Sequence, residues 1–108
     1  MLACVCLNPS FDRTVSLRSF TAGDVNRVLS ARQDVGGKGI NVAITARRLG
    51  IASCVLGCAG KNGIDAVRRK LDGEQVTHVF LPVDGDVRTN MKIVPQDGTG
   101  VTELNLSL

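Results

Sequence analysis

The sequence predicts an α/β fold, a parallel sheet with helices joined to a small β-sheet that has one wet face. Three apolar runs of strand length, Leu2–Leu7, Ile51–Gly57 and Val76–Leu81, alternate with two segments of helical period, an order that implies parallel pairing through right-handed crossovers. The remaining segments alternate apolar and polar residues, the pattern of half-exposed strands. Among 108 residues, 44% are hydrophobic and 21% charged, so the chain is a packed globular one with room for a single domain.

Leu2–Leu7 is uninterruptedly apolar and stops at Asn8-Pro9, as in strands covered on both faces. Arg13–Leu17 and Val25–Gln33 follow as half-polar strands. Lys38–Leu49 reads as a helix with Val42, Ala43, Ala46 and Leu49 on its apolar stripe, Arg47 and Arg48 in the last turn, and Gly50 at C′. After the strand Ile51–Gly57, a second helix runs from Asn62, its candidate N-cap, to Leu71. Its stripe is Ile64, Val67 and Leu71, with Gly73 just beyond. Val87–Val94 and Val101–Leu106 form a hairpin across Pro95–Gly100, whose Asp97-Gly98 is a strong turn signal. The expected organisation is a core over about 1–12 and 36–82 and a lid sheet over about 13–33 and 87–106.

Composition also excludes functions. Thirteen Lys and Arg against ten Asp and Glu leave a scattered net charge of +3, and three Phe with no Trp or Tyr offer little for stacking bases, so no nucleic-acid partner is expected. No apolar stretch approaches the roughly 20 residues that span a bilayer, and no basic region precedes the first apolar run. The expectation is a cytoplasmic chain without membrane contact. Cys4, Cys6, Cys54 and Cys58 read as buried thiols in two core strands, their spacing being a poor match to a zinc site.

Gly36-Gly37-Lys38-Gly39-Ile40-Asn41 opens the first helix. Its backbone N–H groups and Lys38 suit an anion, although a tight entry turn with an exposed lysine would look the same. A Walker A loop is excluded because Arg32 and Gly39 stand where Gly and Ser or Thr belong. A dinucleotide loop fails at Val42, so a phosphate held here belongs to a substrate rather than a nucleotide. Strand alternation puts Arg88, Asn90 and Lys92 on one face and Thr89, Met91 and Ile93 on the other, which fits either an anion site or a solvated edge strand. Asp12, at the end of the first strand, can accept from sugar hydroxyls or cap a turn. His78 has no acid nearby in its strand and reads as structural.

Leu7-Asn8-Pro9-Ser10-Phe11-Asp12, Gly23–Arg27, Gly36–Ala43, Arg88-Thr89-Asn90 and Thr102–Asn105 together resemble the ribokinase-like (PfkB) carbohydrate kinases. Within that family they resemble the branch of 1-phosphofructokinases and tagatose-6-phosphate kinases. The resemblance implies part of a Rossmann-like ribokinase fold with a β-sheet lid, phosphorylating a sugar phosphate with ATP and Mg²⁺. By matching position, Asp12 would bind sugar hydroxyls; Gly37, Lys38 and Asn41 would hold the sugar and its surroundings; Arg88 would meet the substrate phosphate, with Asn90 beside it. The lid implies a homodimer contact.

The sequence departs from the family where catalysis would sit. The family's Gly-Ala-Gly-Asp motif, which carries the catalytic base, does not occur, and neither do its ATP-binding loops and acidic Mg²⁺ motif. No catalytic, cofactor or metal residue is therefore expected among these 108, and the chain by itself is expected to be inactive. Where the family continues Asn-Glu-Pro-Gly, this chain has Asn105-Leu106-Ser107-Leu108. The expected whole-enzyme activity is that of a 1-phosphofructokinase. Tagatose 6-phosphate or fructose 6-phosphate as substrate, or a non-catalytic sugar-phosphate-binding module, are the alternatives.

Overall fold

The computed structural model describes residues 1–106, so Ser107 and Leu108, the end of the departure from the family's motif, lie outside the described residues. In chain order the elements are β1 (Leu2–Cys6), β2 (Ser10–Leu17), β3 (Ser30–Gly36), α1 (Lys38–Arg48), β4 (Ser53–Asn62), α2 (Ile64–Gly73), β5 (Thr77–Asp86), β6 (Arg88–Pro95) and β7 (Thr102–Asn105). The described residues divide into two compact units, one of residues 1–10 and 35–88, the other of residues 11–34 and from 89 onward.

The first unit is a three-stranded parallel sheet in the order β1-β4-β5. Two right-handed crossovers that step in the same direction put both helices on one face. That face carries Cys4, Val55 and His78 in one row and Cys6, Gly57 and Phe80 in the next, and α1 packs on β1 and β4 while α2 packs on β4 and β5. Ile64, Val67 and Leu71 of α2 are buried as the stripe predicts, each contributing about 1.5–3 kcal/mol by leaving water. The opposite face is bare among the described residues: Val5, Leu56 and Val79 lie side by side across the three strands and are 64%, 46% and 56% exposed. The apolar runs anticipated cover on both faces, and here one face is covered.

Several local expectations are corrected. The buried face of α1 is Ile40, Ala43, Ile44 and Ala46, whereas Val42 and Leu49 are exposed. The helix is turned so that Ser53 Oγ donates to the Ala43 carbonyl at 2.7 Å, a buried bond no apolar stripe could show. The N-cap of α2 is Gly63, and Asn62 instead ends β4 with its amide donating to Asp86 Oδ1 at 2.9 Å. Strands β4 and β5 run on to Asn62 and Asp86, past the Gly, Lys and Asp residues that read as loop.

Both helices end in the same motif. Gly50 lies at φ +86°, its N–H reaches the Arg47 carbonyl, and the Ile51 N–H reaches that of Ala46. At the end of α2, Gln75 rather than Gly73 takes the left-handed position, at φ +58°, with Gln75 N–H on Asp72 and Val76 N–H on Leu71. Arg47 donates to both the carbonyl and the side-chain oxygen of Gln75, which offsets part of the strain a non-glycine residue carries there. Beside it Arg48 pairs with both carboxylate oxygens of Glu74 and so holds that carboxyl below the usual carboxylate range.

The second unit is a four-stranded sheet in the order β3-β2-β6-β7, with β6 and β7 antiparallel. Val15, Leu17 and Ile93 bury one face together with Met91, as the alternation in Val87–Val94 requires. The half-polar segment 25–33 is strand only from Ser30, just after the Leu29 N–H donates to the Ser16 carbonyl at 2.8 Å. Before it, the Asn26 side chain donates to the Thr21 and Asp24 carbonyls and accepts the Thr21 N–H, which holds a loop in place of a strand.

Candidate functional site

The candidate residues fall in both units. Gly37, Lys38, Asn41 and Arg88 belong to the first, and Asp12 and Asn90 to the second. In the first unit α1 begins at the C-terminal end of β1, the edge where ligands of parallel sheets bind. Gly37 stands at φ +137°, and a Cβ there would come within 2.8 Å of Cys6 Sγ. At Gly39 a Cβ would lie 2.4 Å from the Val5 carbonyl oxygen. The glycines thus let the first turn of the helix settle against the strand end, with no side chain capping it. The first intrahelical bond is Asn41 N–H to the Gly37 carbonyl at 2.9 Å, so the N–H groups ahead of it form the positive end of the helix. Lys38 and Asn41 are both exposed, and their side chains make no hydrogen bond or ion pair among the described residues.

Cys6 sits beneath this turn, and burial pushes its thiol up despite the N–H groups of Asn8 and Ile40 that favour the thiolate. Arg88 is also close enough to be felt by that thiol. Its guanidinium is tied down by a bond of 3.4 Å to the Asn8 carbonyl, and its Nε–H is buried without a partner among the described residues. A buried donor left unpaired costs roughly 1–3 kcal/mol.

In the second unit one row of polar side chains crosses the sheet: Arg32 and Asp34 on β3, Asp12 and Thr14 on β2, Asn90 and Lys92 on β6, Glu103 and Asn105 on β7. These line a concavity of about 400 Å³. Arg32 pairs with Asp34 at 3.0 Å, and Lys92 with Glu103 at 3.7 Å on the strand directly opposite. The half-buried Asn90 Nδ2 donates to Asp12 Oδ1 at 3.2 Å, while Asn90 Oδ1 is buried with no partner among the described residues. The structure therefore brings Asp12 and Asn90 into contact across 78 positions of sequence.

Two features escaped the sequence. His78, read as having no acid beside it, has Nε2 within 2.7 Å of Asp72 Oδ1, where the ring N–H donates to the carboxylate, because α2 carries Asp72 over β5. Glu103 on β7 pairs with Lys92, one of the two cations that the alternation set beside Asn90, and Arg32 on β3 pairs with Asp34. Register between β6 and β7 decides the Lys92–Glu103 pair, and only the hairpin turn hinted at it.

Residues 6–108 match the model of the pfkB family carbohydrate kinases. The chain belongs to this family. It is 38% identical over 104 residues to the 1-phosphofructokinase of Rhodobacter capsulatus, an alignment covering 96% of this chain and 33% of that protein. Among solved structures it resembles a possible 1-phosphofructokinase of Thermotoga maritima, with 29% identity, a TM-score of 0.84, and coverage of 98% of this chain and 35% of that one. The phosphofructokinase-2 of Escherichia coli in complex with fructose-6-phosphate shares the fold, with a TM-score of 0.87 at 20% identity over 97% of this chain and 35% of that one. The ribokinase fold is thereby established for the pfkB chain, which spans about a third of the length of the curated relatives it matches.

Proposed function

We propose that this pfkB-family chain is the substrate-binding, N-terminal part of an ATP-dependent sugar-phosphate kinase, with fructose 1-phosphate converted to fructose 1,6-bisphosphate in the whole enzyme. The observation that carries this reading is the buried, unpartnered Nε–H of Arg88, a cationic donor anchored by the Asn8 carbonyl and suited to an oxyanion. Lys38 adds a cation at the positive end of α1, where Gly37 permits close approach and Asn41 follows in the first turn. Asp12 and Asn90 supply an acceptor and an amide for sugar hydroxyls.

Among the described residues no three His, Cys, Asp or Glu side chains converge, and we assign neither ATP nor Mg²⁺ to any of them. ATP would supply the transferred phosphoryl group, and Mg²⁺ would neutralise its charge. What these residues do is bind and orient the acceptor sugar phosphate. The chain by itself is accordingly inactive as a kinase in this reading. We also propose a cytoplasmic location and a homodimer through the second unit. Both fit two observations: among the described residues no helix is long and apolar enough to cross a membrane, and the edge strand β7 carries the half-exposed Leu104 beside Leu106.

The test is kinetic. A longer chain that includes these residues turns over fructose 1-phosphate, and Lys38→Ala and Arg88→Ala each raise its KM by about ten- to a hundred-fold, the loss expected for a charge-assisted bond. Unchanged KM in both variants removes the assigned roles. Preference for tagatose 6-phosphate or fructose 6-phosphate would move the enzyme within its branch. A non-catalytic binding module predicts ligand binding without turnover in every form.

A further inference from the structure

We propose that Cys6 is a positioning residue, whose sulfur joins the Asn8 segment that anchors Arg88 to the first turn of α1 and so sets the spacing between the Arg88 guanidinium and the positive end of that helix. The inference rests on the sugar-phosphate reading above and deepens it. All of these groups belong to the first unit. Cys6 ends β1 and is only 6% exposed. Gly37 and Gly39 both rest on its side chain: a Cβ at Gly37 would stand 2.8 Å from Cys6 Sγ, and one at Gly39 would stand 3.3 Å from Cys6 Cβ. The N–H groups of Asn8, two residues along the chain, and of Ile40, in the first turn of α1, face the same sulfur.

Those two N–H groups belong to the two segments that place the cations. The Asn8 carbonyl holds the Arg88 guanidinium at 3.4 Å, so a shift of Asn8 carries that group with it. Ile40 follows Lys38 and Gly39 in the turn whose N–H groups form the positive end of the helix. Gly37, at the N-cap, has no side chain with which to accept from that turn, and a sulfur on the neighbouring strand stands in its place. The neutrality of the sulfur matters as much as its position. Burial favours the protonated thiol, which faces both N–H groups without cancelling the charge of Arg88, as a carboxylate here would. The buried Nε–H of Arg88 therefore keeps its capacity for a charge-assisted bond to an oxyanion. Cys6 touches no ligand in this account and acts through the two segments that it holds.

The test is calorimetric binding of D-fructose 1-phosphate to the 108-residue chain. Cys6→Ala weakens binding about ten-fold, the low end for loss of a charge-assisted bond, while Cys6→Ser, which restores a small neutral acceptor, stays within about three-fold of wild type. In a double-mutant cycle Arg88→Ala costs less in the Cys6→Ala background than in the wild type, because the guanidinium is already displaced. Additive losses overturn the role of Cys6 alone, as does a Cys6→Ala chain that binds like wild type or a Cys6→Ser chain that binds as weakly as Cys6→Ala. Should Cys6→Ala fail to fold, isotopically labelled wild type decides the matter. Fructose 1-phosphate then shifts the Asn8 and Ile40 amide resonances together with Arg88 Nε–H, and a shift at Arg88 that leaves both amides unmoved overturns the proposal. Silence of the wild type toward fructose 1-phosphate overturns the functional reading together with this inference.

Discussion

Replacing Gly39 by alanine tests whether the first turn of α1 is set by contact with β1. An added Cβ would stand 2.4 Å from the Val5 carbonyl oxygen and 2.9 Å from its carbon, both backbone atoms that cannot rotate aside. Ordinary C···O approach is about 3.3–3.6 Å, so the helix start must retreat by about 1 Å. Overpacking of this kind costs about 1–3 kcal/mol. For a domain of this size each kcal/mol corresponds to roughly 4–8 °C in Tm or a matching fall in the urea midpoint. The internal control is Gly73→Ala, in the last turn of α2, where nothing lies within 4 Å of the new methyl. That variant gains about 0.5–1 kcal/mol, because glycine is the poorer helix former. Equilibrium unfolding in urea, followed by circular dichroism, measures both. If Gly39→Ala unfolds within about 0.5 kcal/mol of wild type, the steric account fails, and the glycine must serve backbone contact with a ligand instead; that limit is the usual scatter of surface substitutions.

Three further outcomes are expected. The Glu74 carboxyl titrates below its ordinary range because Arg48 binds it, so its contribution to stability is present above the unfolded pKa and lost as pH falls through the folded one. Wild type is then more stable than Glu74→Gln at pH 7, and the urea midpoints converge as pH falls through the lowered carboxyl range; a constant gap refutes the pairing. Burial raises the Cys6 thiol above its usual value, so Cys6 reacts with a thiol reagent more slowly than the half-buried Cys54 and Cys58, and equal rates under native conditions contradict its burial. The bare row Val5, Leu56 and Val79 makes the chain self-associate with rising concentration, and replacing Val5 and Val79 by threonine lowers that association in sedimentation velocity.

Legibility of the fold followed the range of the forces involved. The strands around Leu2–Cys6 and Thr77–Leu81 and both helices were visible because apolar runs and stripes are properties of a few consecutive residues. The phase of α1 was not, because Val42 and Ile44 are equally apolar, and only the sheet beneath decides which of them is covered. The same holds for the end of α2. Gly73 offered the local signal, but the Arg47 side chain from the other helix supports Gln75 in the left-handed position. The extra rungs of ladder, Ala59 against Pro82 and Gly60 against Val83, are held by strand neighbours rather than by the local signals of their own Gly and Pro residues.

The candidate site divides in the same way, and the division explains which of its residues a sequence can nominate. Gly37, Lys38 and Asn41 occupy one helical turn, so spacing alone groups them and proposes an anion. Asp12 and Asn90 are 78 residues apart, and nothing local joins them. Their contact comes from the order β3-β2-β6-β7, which lays β2 beside β6 and turns Asp12 and Asn90 to the same polar face. A period-2 pattern states which residues of β6 share a face and leaves open which neighbour they meet. Once that neighbour is Asp12, the amide of Asn90 has only one sensible orientation, and its chemistry changes from one more polar group in a cationic row to an acceptor awaiting a donor. Pairing, more than composition, thus decides what this surface can recognise.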